Sequence, residues 1–210
     1  DSVAFFIDQI NHFDPFSLGS SRTKLPIILR NKSLTTNGFV AYVPYRSELF
    51  LFSAQNPNVI GIQDWLEFLT IHEYRHVLQY SNLNRGITKL TGRVFGHAAQ
   101  AGIYNVLVPD WFSEGDAVFY ESNVTGNGRG QLPSFLATFR ALLLEDKIYN
   151  YHKFQNGSYK DLVPNHYVHG YLLTSYGYQE YGEKFWPDVL DQTARLKGLF
   201  LPFRQAIRRE

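Results

Sequence analysis

The sequence predicts an α+β fold, and two observations carry that expectation. Strand-like runs are confined to roughly residues 25–54, whereas from Asp64 onward apolar residues recur at three- and four-residue steps. Strands first and helices after is the order of an α+β chain, and no internal repeat disturbs it. The 210 residues suit one sizeable domain, with a sheet lobe over about 1–60 and a helical lobe over about 61–210.

Taken in order, residues 1–24 read as irregular, with turn signals at Asp14-Pro15 and Gly19-Ser20-Ser21. Leu25–Arg30 is an extended apolar run. Asn37-Gly38 is a strong hairpin signal, so Phe39–Val43 follows as a second strand and Glu48–Phe52 as a third, in a small antiparallel sheet. Asp64 can cap a helix that carries Trp65, Phe68, Leu69, His72, His76 and Tyr80 on one face and ends near Asn82–Gly86. Residues 86–109, rich in Gly and Ala without a clear period, read as a long connection or a small subdomain. Pro109 opens a second helical segment from Asp110 to about Asn123, and Thr125–Gly130 breaks it. Further helices are expected at about 133–147, 164–181 and 183–197. Another begins at Pro202 and stops at Glu210 without a cap, as in a domain excised from a longer protein with further domains.

Composition removes several function classes. The net charge of +1 gives no electrostatic reason to expect nucleic acid or an anionic membrane as a partner. Without cysteine there is neither a disulfide framework nor a thiolate metal site. No run approaches the ~18–20 apolar residues of a membrane span.

The chemistry concentrates in His72-Glu73-Tyr74-Arg75-His76, an HExxH segment. On a helix, positions four apart share a face, so both imidazoles reach a single ion while Glu73, about 100° around, faces a water beside it. Two imidazoles and a carboxylate suit Zn2+ with one position left for water. The ion brings that water's pKa toward ~7, and Glu73 takes its proton as general base.

A second segment, Trp111-Phe112-Ser113-Glu114-Gly115-Asp116-Ala117, resembles the Trp-x-x-Glu-Gly-x-Ala segment of gluzincin zinc metallopeptidases, including the aminopeptidase N family and related peptidase-MA-like proteins. The resemblance spans roughly residues 60–195 and rests chiefly on these two motifs. It implies a zincin-like fold, with a small sheet packed on the active-site helix and a mostly helical lobe after it. It makes Glu114 the third ligand beside His72 and His76, on a second helix that Gly115 lets approach the first. Glu121, seven residues on, matches an acidic position of the family that orients a ligand histidine. Glu114 lies 38 residues after His76, farther than in the thermolysin-like or aminopeptidase-N-like enzymes.

His166-Tyr167-Val168-His169-Gly170 resembles the Tyr-x-Lys-Gly segment whose tyrosine supports the oxyanion. The match assigns that role to Tyr167, with His169 in the lysine's place and His166 and His169 as rivals. An edge strand, Phe39–Val43 or Glu48–Phe52, would pair with extended peptide. The family's Gly-x-Met-Glu-Asn amine-binding segment is absent, and Glu48 is the carboxylate nearby, which favours an endopeptidase. The expected substrate is a peptide or protein. A non-peptide zinc hydrolase and a metal-binding recognition module remain alternatives. The front segment from Asp14 to Arg22, with the metal motifs, resembles large Gram-negative envelope proteins and implies an exported, periplasmic or cell-envelope location.

Overall fold

The computed structural model describes residues 2–12, 14, 16–18, 24–56, 61–197 and 201–210; the turn expected at Gly19–Ser21 and the proline of Asp14-Pro15 lie outside them. Among the described residues the chain forms nine α-helices, one short 3-10 turn and a three-stranded sheet, an α+β architecture.

The N-terminal stretch is helical where irregular chain was expected: α1 runs from Ser2 to His12. Val3, Ile7 and Ile10, spaced by four and three, form its inner stripe and pack into the apolar clusters on α2 (Trp65–Asn82). The sheet holds β1 (Ile27–Arg30), β2 (Gly38–Tyr42) and β3 (Tyr45–Phe50) in the order β1-β3-β2. It is mixed and not wholly antiparallel. β1 lies parallel to β3, with Ile27 opposite Ser47, whereas β2 is antiparallel to β3, with Gly38 opposite Leu49 and Tyr42 opposite Tyr45. The hairpin turn is therefore at Val43-Pro44, whose peptide bond is cis, and Asn37-Gly38 leads into β2 without making a turn. β3 is central, so Glu48–Phe52 is not an edge; β2 is.

α2 is the axis of the molecule. The Asp64 side chain accepts from the backbone N–H groups of Leu66 and Glu67, as the sequence suggests for a cap. Trp65 donates its indole N–H to the Phe50 carbonyl at 2.8 Å, and Leu49 packs with Trp65, Phe68 and Leu69, seating the sheet on the helix's first half. Residues 86–109 are not a connection but α3 (Gly86–Leu107), kinked at Gly96, whose φ of 82° suits glycine. The Gly and Ala content that hid its period leaves little apolar contrast between faces.

α4 (Asp110–Thr125) ends at Gly126 in the left-handed conformation, and the 3-10 turn Arg129–Gln131 follows. Then come α5 (Ala137–Leu144), α6 (Tyr151–Asn156), α7 (His166–Tyr181), α8 (Phe185–Ala194) and α9 (Pro202–Ile207). α5 is shorter than the 133–147 expected, and α6 has no counterpart in the sequence reading. Phe112, Trp186, Val189 and Phe203 knit α4, α8 and α9 into the largest core cluster.

Gly115 serves a different contact from the one expected. A Cβ there would lie 2.1 Å from the Gly170 carbonyl carbon, and one on Gly170 would lie 1.8 Å from the Trp111 oxygen. The paired glycines let α4 touch α7, the helix of Tyr167, and not α2. α2 and α4 are joined instead by a buried ion pair. The Arg75 guanidinium donates to both Asp116 oxygens at 2.7 and 2.9 Å, and also to the Phe16 carbonyl. Both side chains are wholly buried, and such an arrangement holds two helices in one register.

Candidate metal centre and cleft

His72 and His76 project from consecutive turns of α2, and Glu114 meets them from the second turn of α4. Glu114 Oε2 lies 3.4 Å from His72 Nε2 and 3.5 Å from His76 Nε2, and the three ligand atoms fall within 4.8 Å of one another.

The partners behind the imidazoles decide which nitrogens are free. His72 Nδ1 is 2.7 Å from Glu121 Oε2. A carboxylate only accepts, so Nδ1 carries the proton and Nε2 keeps its lone pair. Arg129 Nη2 also approaches that Nδ1, at 2.9 Å, but a guanidinium cannot accept, and it serves the same carboxylate through Nε and Nη2 at 2.8 and 3.1 Å. His76 Nδ1 is 3.0 Å from Gln79 Oε1. The amide orientation of Gln79 is set because its nitrogen donates to the Ser113 carbonyl and to Asp116 at 2.9 and 2.8 Å. Both Nε2 atoms are thus left facing Glu114, whose Oε2 is buried without a hydrogen-bond partner. Two free imidazole nitrogens and an orphaned carboxylate oxygen fit a zinc-type ion.

The electrostatics agree with a cation. Burial alone would lower the imidazole pKa values, but Glu114 outweighs it and raises His76 to about 9; His72 is also raised, with Glu121 contributing. Burial opposes ionisation of Glu114 as well, yet the two histidines hold it well below the usual carboxylate range. The carboxylate charge that favours a second proton, on Nε2, would equally favour a metal ion in that proton's place. Glu121, sealed behind His72 and paired with Arg129, stays ionised. If these three residues hold a zinc ion, Glu121→Ala should weaken its affinity about 10–100-fold, measurable by competition with a fluorescent chelator.

Glu73 lies beside the ligands under β2. Burial raises its pKa, and the neighbouring histidines offset this only in part. A Cβ on Gly38 would come within 2.9 Å of Glu73 Cγ and 2.8 Å of Leu69 Cδ1, so the glycine is what lets the edge strand lie on the carboxylate. Together, His72, Glu73, His76, Glu114, Arg129 and Tyr167 line one cavity of about 440 Å3, whose wall on the sheet side is Gly38 to Tyr42.

No protein-family model, curated protein or solved structure matches this chain.

Of the other residues singled out in the sequence, Tyr167 reaches the cavity and the two neighbouring histidines do not line it. The Tyr167 hydroxyl lies against Glu114; burial and that carboxylate push its pKa up to about 12, so it remains a donor near neutrality. His166 is exposed and stacks on Tyr167 with ring centroids 4.5 Å apart. His169 faces away from the metal centre, stacked parallel on Phe154 at 4.8 Å and edge-on to Trp111, and burial lowers its pKa. Glu48 is clamped by Arg30 and Arg46 on the central strand, at 2.7 and 2.6 Å, and does not line the cavity.

Sequence reasoning missed Gln79 and Arg129. Gln79 had a signal, since it follows His76 by one helical turn on the same face. Arg129 sits in what read as a mere glycine-rich break. Gly128 and Gly130 pack on Ser122, each too close for a Cβ, and this lays the segment along α4 so that Arg129 reaches Glu121. The guanidinium is then held over Phe68 and Tyr167, 4.9 and 5.3 Å from the ring centres.

Proposed function

We propose that this protein is a zinc-dependent peptidase of the gluzincin kind, with His72, His76 and Glu114 as ligands and Glu73 as general base. The observation that carries the reading is the convergence of two Nε2 lone pairs and an orphaned Glu114 oxygen, each histidine fixed from behind, with a buried carboxylate alongside. A zinc ion held there would supply Lewis acidity toward a carbonyl and a water acidified toward neutrality.

The chain's own groups account for the rest. Glu73 has a raised pKa and no hydrogen bond or ion pair among the described residues, so its carboxylate is available to take a proton from water and return it to the leaving amine. Tyr167 lines the same cavity and supplies a hydroxyl donor for the negative charge that develops on the carbonyl oxygen. Tyr167→Phe should lower kcat about a hundredfold with little change in KM, as loss of a donor used mainly in the transition state requires.

A peptide is favoured over other esters and amides by β2. It is an edge strand along the cavity wall, with one row of main-chain groups left unpaired by β3 over about 13 Å, enough to pair with a short extended segment. Glu48 is unavailable to bind a substrate amine, which supports endopeptidase action. A closed structural zinc site is disfavoured because the described residues offer three protein ligands and place a buried carboxylate beside them.

The test is cleavage of a quenched-fluorescent peptide library by the zinc-loaded protein. Internal cleavage at defined positions supports the reading. Zinc binding without hydrolysis of any peptide, but with turnover of small esters, would shift it to the non-peptide hydrolase.

A further inference from the structure

The net charge of +1 conceals a strongly one-sided helix. From Gly86 to Leu107, α3 carries Lys89, Arg93 and His97 and no acidic residue. Thr88, Gln100, Ala101, Tyr104 and Leu107 form its buried side and fasten it to the body of the protein. The opposite side is apolar as well as basic: Leu90, Val94, Phe95 and Val106 are 54%, 61%, 74% and 83% exposed. Lys89 and Arg93 stand four residues apart, and so do Leu90 and Val94, so the first half of α3 presents a basic stripe directly beside an apolar one. Beyond the kink, Ala98, Gly102 and Val106 form a separate exposed row of small and apolar residues. A side chain added at Gly96 or Gly102 would meet nothing within 4 Å.

Exposed apolar residues alone would decide nothing. The comparison with another such group is informative: Leu143, Leu144 and Ile148 are also exposed, but Glu145 and Asp146 stand between them. In α3 the carboxylates are missing, and the charged side chains beside the apolar ones are Lys89 and Arg93. Lysine and arginine lay their aliphatic stems on an apolar surface while the charged ends reach outward, which suits the boundary between acyl chains and headgroups. No described helix is long and apolar enough to cross a membrane.

We propose that the outer face of α3 docks on an anionic lipid surface, with Leu90, Val94 and Phe95 entering the headgroup boundary and Lys89 and Arg93 pairing with lipid phosphates. Exposed aliphatic side chains and one phenylalanine directly beside two cations are the composition of an interfacial amphipathic helix, which favours an anionic lipid surface over a protein partner. Beyond the kink, Tyr104 and Asn105 line the cavity of the candidate metal centre.

Co-sedimentation of the full chain with vesicles tests this without reference to hydrolysis. Vesicles of phosphatidylcholine with about a third phosphatidylglycerol should retain the protein at low salt, and pure phosphatidylcholine should retain far less. Lys89→Gln with Arg93→Gln should weaken binding about thirtyfold, at about fivefold per cation. Val94→Asp with Phe95→Asp should abolish it, with an unchanged circular dichroism spectrum confirming the fold. Failure of the wild type to bind anionic vesicles, or binding indifferent to both double variants, would overturn the proposal. A dimer that Val94→Asp with Phe95→Asp dissociates would also overturn it, by assigning the face to a second copy of the chain.

Discussion

Glu73→Gln should keep its zinc and lose about a thousandfold in kcat/KM, within the 10²–10⁴ range of a lost general base. The amide has nearly the same shape, so Leu69, Gly38 and the first half of α2 need not move. Glu73 is not among the atoms that converge on the ion, so metal content should be unchanged. What the amide cannot do is accept a proton. The site is built to make that difference large, because burial raises the carboxylate's pKa toward the working range and β2, admitted by Gly38, closes over it. The paired measurement is zinc content and peptide turnover on one preparation. Full turnover in Glu73→Gln would mean that another group takes the proton.

Asp116→Ala should be the most destabilising single change near the site, by about 3–5 kcal/mol, because it strands the Arg75 charge in the core. Arg75 has no water to turn to; its pKa is raised despite burial because Asp116 sits against it. The loss should also reach the metal. Asp116 accepts from Gln79, and Gln79 holds His76. Zinc affinity should therefore fall along with stability. Urea midpoints for Asp116→Ala and for Arg75→Met with Asp116→Leu separate the causes. The double variant removes both charges and should recover most of the stability, as buried pairs replaced by apolar groups of similar volume do. Equal instability in both would mean that packing, and not the stranded charge, dominates.

The grouping of the candidate ligands was partly legible because helix geometry converts sequence spacing directly into shared faces. His72 and His76 needed only the four-residue step, whereas Glu121 needed both the seven-residue step from Glu114 and the family's acidic position. Glu114 needed the resemblance of its segment, since the 38-residue gap carries no geometry of its own. Sheet topology was less legible. Asn37-Gly38 had the chemistry of a hairpin turn, but Gly38 is required for the approach of β2 to Glu73, and the reversal is made at Val43-Pro44. A parallel β1–β3 pairing leaves no local signal, because its partners lie twenty residues apart. α3 was hidden by its small residues, and Arg129 by the glycines that deliver it. His169 was singled out for its match to the family's lysine position, but its ring packs on Phe154 and Trp111 and does not line the cavity.

The most direct test is zinc stoichiometry by native mass spectrometry, comparing the wild type with Glu114→Ala after equal exposure to zinc and removal of the unbound ion. The geometry predicts about one ion per chain in the wild type and little in the variant, since a two-histidine remnant lacks the third ligand. Equal zinc in both proteins, or none in either, would contradict the placement of a metal between His72, His76 and Glu114.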